Sequence, residues 1–485
     1  MRVLVVCLFL TACLGATWVN AAQQPLNIIL FLVDDLGWRD VGCYGSSYYH
    51  TPHMDRLASE GVRFTDAYAA CPVCSPTRAA ILTGKYPARL LLTNWLPSGR
   101  WNPAARLREG RFLRGLPLEE CTLPEALRRS GYETMHIGKW HLGSEPFSLP
   151  EHHGFDKNIG GNAHGAPGSY FFPYEGNWSI PTTNQRARWM VLPSGQKGEY
   201  LTDRLTDEAV KFLMEPHEKP FFLYFSHYAV HSPLQAKPDM MQRYDVISEK
   251  DRQGTPAYAA MVESVDESLG RLLEVLDKRG IRDQTLVIVT SDNGGFAHAT
   301  SNAPLRANKG SLYEGGIRVP LLIRWPNVAS PGSVCTVPVT SSDLYPTCLT
   351  AADCPLHASQ HIDGCDLSVV LKEGHLERDA LYWHFPHYNK HPFSTPGSVI
   401  RRGRWKLIDS FDPESKELYD LETDIGEQHN LASTQPVIMS ELLSALSAWR
   451  KDVDAERMLP NSDYDPVLSQ PKQKKQKKKS ATPRQ

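Results

Sequence analysis

The stretch LNIILFLV at residues 26–33 ends directly at Asp34 and Asp35. A short, β-rich apolar run of this kind is typical of a buried strand, and similar runs follow it along the chain. They lie at residues 132–137, 221–225, 286–290 and 319–325. Helical patterns fill the intervals at residues 54–60, 77–82, 123–130, 202–214 and 258–279. This alternation predicts an α/β fold with a mostly parallel sheet flanked by helices.

Chemically versatile side chains stand where these predicted strands end. In open α/β sheets, ligands bind at the carboxyl ends of the strands. Residues that are far apart in the sequence are therefore expected to meet at one edge of the sheet. They are Asp34 and Asp35 after the first run, Lys139 and His141 after the second, His231 after the third, and Asp292 and Asn293 after the fourth.

The sequence changes in character after about residue 374. Short apolar runs separated by turns indicate antiparallel strands at residues 383–387, 398–402, 405–408 and 417–421. An amphipathic helix over residues 436–454 follows, with Leu442, Leu443, Leu446 and Trp449 on one face. We predict a large domain over residues 25–374 and a smaller α+β domain over residues 375–468.

The two ends of the chain differ from both predicted domains. Residues 1–21 combine a basic start, an apolar run and a small-residue cleavage pattern, which fit a signal peptide and export to the periplasm or the cell exterior. The alternative is a lipoprotein anchored through Cys13, because LTAC at residues 10–13 resembles a lipoprotein box. No other segment is long and apolar enough to span a bilayer. Residues 469–485 form a lysine-rich tail, predicted to be disordered and either simply solvated or adhering to an anionic polymer.

Composition argues against bulk electrostatic binding. The formal net charge is −2 over 485 residues, so the chain has no general attraction for nucleic acid, and any anion-binding site must be local. Cysteines outside the leader are too sparse for a disulfide scaffold. The late cysteines either pair among themselves or remain free thiols. They are Cys335, Cys348, Cys354 and Cys365.

The sharpest motif is CSPTR at residues 74–78, followed by LTG at residues 82–84. The proline suits the first turn of a helix, and the glycine suits its end. Cys74 is therefore expected at a helix N-terminus, where free amides and the helix dipole lower the pKa of a thiol. The alternative is a structural or redox pair between Cys74 and Cys71.

Cys-x-Pro-x-Arg with the trailing Leu-Thr-Gly resembles the formylglycine-dependent sulfatase family. The resemblance runs from about residue 27 to residue 324 and continues more weakly into the smaller domain. It implies an alkaline-phosphatase-like fold that hydrolyses sulfate esters, with a sulfated small molecule or glycan as substrate and a sulfated carbohydrate favoured. It also implies that a formylglycine-generating enzyme oxidises Cys74 to formylglycine.

The resemblance implies a divalent metal at the end of the first and fourth runs. Two carboxylates ~4 Å apart repel by about 4 kcal/mol at an effective dielectric constant of ~20, and a bound cation removes that repulsion. All-oxygen ligands suit a hard cation, and calcium is favoured over magnesium because magnesium prefers to keep more waters. The implied ligands are Asp34, Asp35, Asp292, Asn293 and the formylglycine at position 74.

The same resemblance assigns roles to the remaining polar residues. Arg78 and Lys139 would stabilise the formylglycine hydrate, and His141 would hydrogen-bond one of its hydroxyls. Lys139, His231 and Lys309 would hold the sulfate, with His231 donating a proton to the leaving alcohol. Taken singly, each of these histidines and lysines is more often a structural or solvated residue.

Further candidates align less securely with the family. Asn162 and His164 both qualify as an additional substrate contact, and His164 is the residue we assign. His384, His387 and Arg402 of the smaller domain either reach the rim of the pocket or serve the structure. Asn177 begins a glycosylation sequon, which has meaning only in a eukaryotic host.

Two rival functions remain open from the sequence. The first is a phosphonate or phosphate ester hydrolase of the same superfamily, which shares Cys-x-Pro-x-Arg. A doubly charged phosphate favours more positive charge or a second metal, and no extra ligand set is evident. The second is a non-catalytic binder of sulfated glycans in which Cys74 stays a thiol.

Overall fold

The computed structural model describes residues 25–97, 104–179 and 186–466. The predicted signal peptide, Cys13 and the lysine-rich tail lie outside these residues. The strands are β1 (Asn27–Val33), β2 (Val62–Phe64), β3 (Ala67–Tyr68), β4 (Leu107–Arg108), β5 (Glu133–Gly138), β6 (Lys157–Ile159), β7 (Glu175–Ser179), β8 (Arg186–Met190), β9 (Phe221–Ser226), β10 (Thr285–Ser291), β11 (Leu321–Arg324), β12 (Ser333–Cys335), β13 (Val339–Thr340), β14 (Leu381–Phe385), β15 (Gly397–Arg402), β16 (Trp405–Phe411), β17 (Glu414–Asp420) and β18 (Leu459–Pro460). The α-helices are α1 (Pro52–Glu60), α2 (Cys74–Thr83), α3 (Leu123–Arg129), α4 (Leu201–Met214), α5 (Pro238–Asp245), α6 (Pro256–Arg279), α7 (Glu314–Ile317), α8 (Leu344–Ala351), α9 (Leu367–Glu373) and α10 (Pro436–Asp452).

An eight-stranded sheet forms the centre of the larger part of the molecule, with the order β12-β2-β11-β10-β1-β9-β5-β6. Strand β1 pairs in parallel with β10 on one side and with β9 on the other, and β5 continues the parallel set. Strand β11 runs antiparallel to both of its neighbours, β10 and β2. The predicted mostly parallel sheet is confirmed, and the run at residues 319–325 supplies its antiparallel member.

Helices cover both faces of this sheet because β1 is apolar on both sides. Ile29, Phe31 and Val33 pack into a core with α1, α4, α5 and α6. The alternate residues Ile28, Leu30 and Leu32 pack into a second core with α2, α3, α8 and α9. Full burial of side chains of this size contributes about 1.5–3 kcal/mol each. The continuous apolar run therefore anchors β1 at the centre of the molecule, and the residues that follow it are held firmly.

Helix α2 lies entirely inside the molecule, with all ten residues buried. It begins after Val73, whose backbone is extended, and it ends at Gly84, which has φ 69° and donates its N–H to Ala80 O at 2.9 Å. The glycine is required there, because a Cβ would lie 2.4 Å from His361 Cβ. Cys74 thus occupies the first position of a fully buried helix.

A separate antiparallel sheet, β14-β15-β16-β17, carries helix α10 on one face. Leu442, Leu446 and Trp449 of α10 pack against this face, as the amphipathic pattern predicts. On the other face, residues of the sheet share a core with Tyr68, Cys71 and Val73 of the larger part. The smaller α+β unit therefore packs directly against the segment that leads into α2. Its boundary near residue 374 stays a prediction.

Two further expectations concern membranes and cysteines. Over the described ranges, no helix combines the length and apolar character needed to cross a membrane. All the cysteines from Cys43 to Cys365 are free thiols. Neither the pair of Cys71 with Cys74 nor a disulfide among the late cysteines is present.

Candidate active site

The carboxyl ends of β1 and β10 bring their acidic residues together. The register of the two parallel strands sets Val33 opposite Ser291, so that the next residues along each strand emerge side by side. The Asp35 N–H donates to Asp292 Oδ1 at 3.2 Å. Asp35 adopts φ 61°, a left-handed conformation that non-glycine residues keep only where their surroundings enforce it. As expected from the sequence, residues that are far apart along the chain lie together at this edge of the sheet.

Cys74 lies within reach of the same carboxylates. Its Sγ is 3.7 Å from Asp34 Oδ1 and 3.5 Å from Lys309 Nζ. One ligand atom from each of Asp34, Asp35, Asp292 and Cys74 lies within 4.8 Å of the other three. The strand ends and the start of helix α2 therefore enclose one small volume.

Each of the three carboxylates contacts its own buried cation. Lys139 Nζ lies 2.6 Å from Asp34 Oδ2, and Lys309 Nζ lies 2.6 Å from Asp35 Oδ1. Arg78 brings Nε within 2.8 Å and Nη2 within 2.7 Å of Asp292 Oδ2. Uncompensated buried charges are costly, and these pairings limit that cost. It also leaves positive groups directly beside residue 74.

Two histidines complete the surroundings, and their hydrogen bonds define which ring nitrogen is protonated. His231 Nδ1 donates to Ser232 O at 2.7 Å, and its Nε2 lies 3.7 Å from Asp35 Oδ2. His141 Nε2 donates to Leu96 O, while its buried Nδ1 has no hydrogen-bond partner within the described part of the chain. A carbonyl oxygen only accepts, so Nε2 of His231 and Nδ1 of His141 carry the free lone pairs.

Burial dominates the proton affinities of the site. It raises the pKa of the Cys74 thiol to about 12, with Asp292 and Asp34 adding to the effect and Lys139 and Lys309 opposing it. The expected lowering at the helix N-terminus is therefore wrong for the free cysteine, because desolvation of a thiolate at this depth outweighs the dipole and the lysines. Burial also lowers the pKa of His231 to about 3, reinforced by Lys309.

The two neighbouring aspartates differ in proton affinity. Burial, together with the charge of Asp292, raises the pKa of Asp34 to about 8. Burial acts on Asp35 in the same direction, but Lys309 and His231 outweigh it and hold the pKa of that carboxyl below its usual range. Asp34 is consequently the carboxyl that gains most from an additional positive charge.

The donor set fits a hard divalent cation. Asn293 Nδ2 donates to Asp35 Oδ1 at 2.8 Å and to Gly294 O at 3.0 Å. Asn293 Oδ1 is buried and, among the residues described, receives no hydrogen bond. An unpaired buried acceptor costs about 1–3 kcal/mol, which coordination of a cation would offset. Carboxylate and amide oxygens at one point are the ligands that Ca²⁺ and Mg²⁺ prefer.

The loop after β6 reaches the site through His141. The His141 N–H donates to Asn162 O at 3.0 Å, and a Cβ on Gly165 would lie 2.3 Å from His141 Cε1. His164 stands between them and stacks on Trp189, with ring centroids 4.3 Å apart. Asn162 therefore contacts the site through the backbone of His141, whereas the assignment of His164 as the substrate contact stays a prediction.

The three candidates from the smaller unit take partners elsewhere. His384 is buried between Ser398 Oγ and Glu456 O, at 2.7 and 2.8 Å. His387 is buried with Nε2 2.8 Å from Thr93 Oγ1, and Arg402 pairs with Asp379. These contacts favour the structural reading of all three residues.

Sequence reasoning missed several residues that hold the site in place. Tyr258 contacts Asp35 O at 3.0 Å and Asp40 Oδ2 at 2.6 Å, which ties the loop after β1 to helix α6. Ser226 ends β9 and receives a hydrogen bond from Arg78 Nη1. Its place at a strand end was a usable signal, whereas nothing in the local sequence connects Tyr258 with Asp35.

Known proteins resemble this chain over most of its length. The sulfatase family model matches residues 26–354, and the C-terminal model of N-sulphoglucosamine sulphohydrolase matches residues 307–452. A sulfatase of Formosa agariphila is 33% identical, with 86% of each chain covered. Human N-acetylgalactosamine-6-sulfatase is 34% identical over 75% of this chain and 69% of its own.

Solved structures agree with these sequence matches. The crystal structure of Ps i-CgsB in complex with k-i-k-neocarrahexaose superposes with a TM-score of 0.72 at 32% identity. The match covers 88% of this chain and 93% of that one. Fold, strand-end geometry and family models point the same way: the chain belongs to the sulfatase family, whose members are sulfuric ester hydrolases.

Proposed function

We propose that this sulfatase hydrolyses sulfate monoesters of carbohydrates, using formylglycine made from Cys74 and a divalent cation, calcium in preference to magnesium. The observation that supports it most is the meeting of three carboxylates and three cations around Cys74 Sγ. A sulfate ester carries one negative charge spread over its oxygens, so its site needs several preorganised positive groups rather than one. The proposal includes export, since residues 1–21 fit a signal peptide.

The carbohydrate part of the proposal draws on the relatives. One is named for N-acetylgalactosamine 6-sulfate hydrolysis, and the similar solved structure holds a carrageenan oligosaccharide. Both belong to proteins that are about one-third identical to this chain. We carry the substrate class over and leave the individual sugar to experiment.

The cation, the formylglycine and the side chains have different roles in the proposed reaction. When present, the cation polarises the sulfate oxygens, and the hydrated formylglycine supplies a hydroxyl nucleophile. Lys139 and Lys309 hold the sulfate beside residue 74 through ammonium groups that are already fixed by Asp34 and Asp35. Arg78 keeps Asp292 ionised and oriented. These interactions are in place before substrate arrives, so little reorganisation is needed.

The histidines handle protons. His141 presents the free lone pair of Nδ1 and acts as an acceptor that is held in orientation by Leu96 O. His231 is neutral in the free protein, so it must gain a proton before it can donate one to the leaving alcohol. The negative charge of a bound sulfate favours the protonated imidazole, which makes His231 an acid when substrate is bound.

Paired substrates test this proposal. Purified protein from a host that forms formylglycine is assayed in calcium with 4-nitrophenyl sulfate, 4-nitrophenyl phosphate and a panel of monosulfated sugars that begins with N-acetylgalactosamine 6-sulfate. We expect sulfate release from at least one sugar and faster turnover of the aryl sulfate than of the aryl phosphate. Faster phosphate cleavage would support the phosphate ester hydrolase instead.

Mass analysis of the Cys74 peptide separates the enzyme from a glycan binder. We expect formylglycine at position 74 in protein from the native host. An intact thiol together with absent turnover would overturn the proposed chemistry and favour the non-catalytic reading.

A further inference from the structure

A loop of the smaller unit extends to the active site. Residues 386–396 connect β14 to β15, and Asn389 within it donates from Nδ2 to Gly310 O at 3.3 Å. The His391 N–H donates to Asn389 Oδ1 at 2.8 Å, which fixes the loop at this point. Gly310 directly follows Lys309. The loop is therefore anchored one residue away from a cation that contacts Asp35.

His391 packs directly on the backbone of Gly310. A Cβ built on Gly310 would lie 2.6 Å from His391 Cβ and 2.8 Å from its Cδ2. The backbone of Gly310 is held on its other side, because its N–H donates to Pro72 O at 2.8 Å, just before Cys74. The peptide of Gly310 therefore lies between His391 and the segment that leads to Cys74.

The loop after β10 brings Phe296 against His391 and His298 against Phe296. Phe296 packs edge-on against His391 with centroids 5.8 Å apart, and Phe296 also contacts His298 at 5.2 Å. This loop begins at Asp292 and Asn293, so the rings share its position at the edge of the sheet. We call Phe296, His298 and His391 the ring cluster. It borders the side of the site that carries Lys309.

The imidazole of His391 is available for binding. The ring is half-buried, and neither nitrogen forms a hydrogen bond or an ion pair with any residue in the ranges that the structure describes. Burial lowers the pKa of His391 to about 4, assisted by Lys309 and His298 and opposed by Asp35. The ring is consequently neutral near pH 7 and offers one donor and one acceptor.

We propose that His391 hydrogen-bonds a hydroxyl of the sugar that carries the sulfate. The inference rests on the proposed function, since it names a contact for the alcohol part of that substrate. In the proposed function Lys139, Lys309 and His231 hold the sulfate. An alcohol that extends past Lys309 would meet His391, which packs on the neighbouring Gly310. A neutral imidazole matches a neutral hydroxyl, whereas a second sulfate would call for a charged donor. His391 is therefore a specificity-determining residue supplied by the smaller unit.

The test compares a sugar with an aryl ester that lacks the hydroxyls. His391→Phe keeps a ring on Gly310 and beside Phe296 but removes both nitrogens. We expect kcat/KM for the best-cleaved sugar of the panel to fall by about tenfold or more, mainly through KM, because the site's polar partner is lost. For 4-nitrophenyl sulfate, kcat/KM should stay within about twofold. The exposed neighbour Lys390 provides the matched control, and Lys390→Ala should leave both substrates unchanged.

The remaining outcomes separate recognition from structure. A fall of equal size on both substrates would mean that His391 only supports Lys309, and the inference would be overturned. No fall on either substrate would also overturn it. Thermal unfolding of His391→Phe checks that the variant is folded, and His391→Asn, which restores a donor and an acceptor, should recover part of the sugar activity. Wild-type protein that cleaves the aryl sulfate but no sugar would instead overturn the proposed substrate class, and this inference with it.

Discussion

Asp34 is the residue whose charge depends most strongly on what else occupies the site. Its pKa is raised to about 8 by burial and by Asp292, although Lys139 contacts it at 2.6 Å. A group with a raised pKa in the folded state binds a proton that the unfolded chain releases. The metal-free folded protein therefore retains the proton of Asp34 to a higher pH than the unfolded chain does. A cation at the site would favour its ionised form.

Asp34 should make the metal-free protein less stable as pH rises. Below pH 3.8, the ordinary pKa of an aspartate, Asp34 is protonated in both the folded and the unfolded protein. The folded protein loses this proton only near pH 8. Between these values rising pH favours unfolding. We expect urea midpoints measured in chelator to fall over this window, less steeply for Asp34→Asn, and added calcium to flatten the wild-type slope. Equal slopes for the two proteins would contradict this assignment.

Arg78 should be irreplaceable by lysine despite the retained charge. Its Nε and Nη2 both contact Asp292, and its Nη1 reaches Lys139 O at 3.0 Å. A lysine ammonium cannot make these contacts together, so Arg78→Lys should lower kcat on 4-nitrophenyl sulfate by about 100-fold or more. Arg89→Lys is the control, because Arg89 makes a similar two-atom contact with Asp363 elsewhere. Comparable losses in both variants would argue against a specific role for Arg78.

At the scale of elements, the long apolar runs determine most of the fold. Strand β1 begins one residue after the predicted run, and helix α10 ends two residues before its predicted end. The short strands β2 and β12 escaped prediction, because each has three residues and depends on pairing with a distant partner. The antiparallel direction of β11 was not predicted either, because it depends on the path of the connecting chain rather than on the local sequence pattern.

The loop that carries Lys309 should be sensitive to one added methyl group. Gly310 has φ 86°, and its Cβ would collide with His391, so Gly310→Ala combines backbone strain with displacement of the loop. Gly280→Ala is matched, because Gly280 has φ 66° and open space around its Cβ. Backbone strain should cost each variant about 1–2 kcal/mol. We expect only Gly310→Ala to lose about tenfold or more in kcat/KM, measured with 4-nitrophenyl sulfate.

At the scale of the whole molecule, a buried ion cluster connects the two units. Lys406 of β16 lies 2.9 Å from Glu314 Oε1 and 2.7 Å from Glu427 Oε1, and all three side chains are fully buried. Glu314 begins α7, shortly after Lys309. The smaller unit therefore helps to hold the segment that carries an active-site cation.

Removing the lysine of this cluster should destabilise the entire protein. Lys406→Met leaves buried Glu427 without its cation and leaves Glu314 paired with Arg318 alone, and breaking a buried ion pair typically costs about 3–5 kcal/mol. Urea unfolding should show a lower midpoint, and adding Glu314→Gln and Glu427→Gln to Lys406→Met should recover much of the loss. An unchanged midpoint for Lys406→Met alone would mean that the units do not depend on this contact.

The active site shows the same division between what sequence predicts and what it cannot. Asp34, Asp292 and their neighbours were found because strand ends meet at one edge of a parallel sheet. His391 was missed because it lies in a loop without periodic pattern and reaches the site only through packing on Gly310. The pKa of Cys74 was predicted in the wrong direction because desolvation belongs to the assembled molecule.

The enclosure of helix α2 has a consequence for biosynthesis. Cys74 keeps only 3% of its surface exposed, and every residue of the helix is buried. The proposed maturation requires an enzyme to bind the chain around Cys74, and in the finished fold that segment is buried. The proposed oxidation would therefore precede collapse of the chain. The yield of active enzyme then depends on the rate of oxidation relative to the rate of folding. Where folding is faster, the cell accumulates a stable protein without activity.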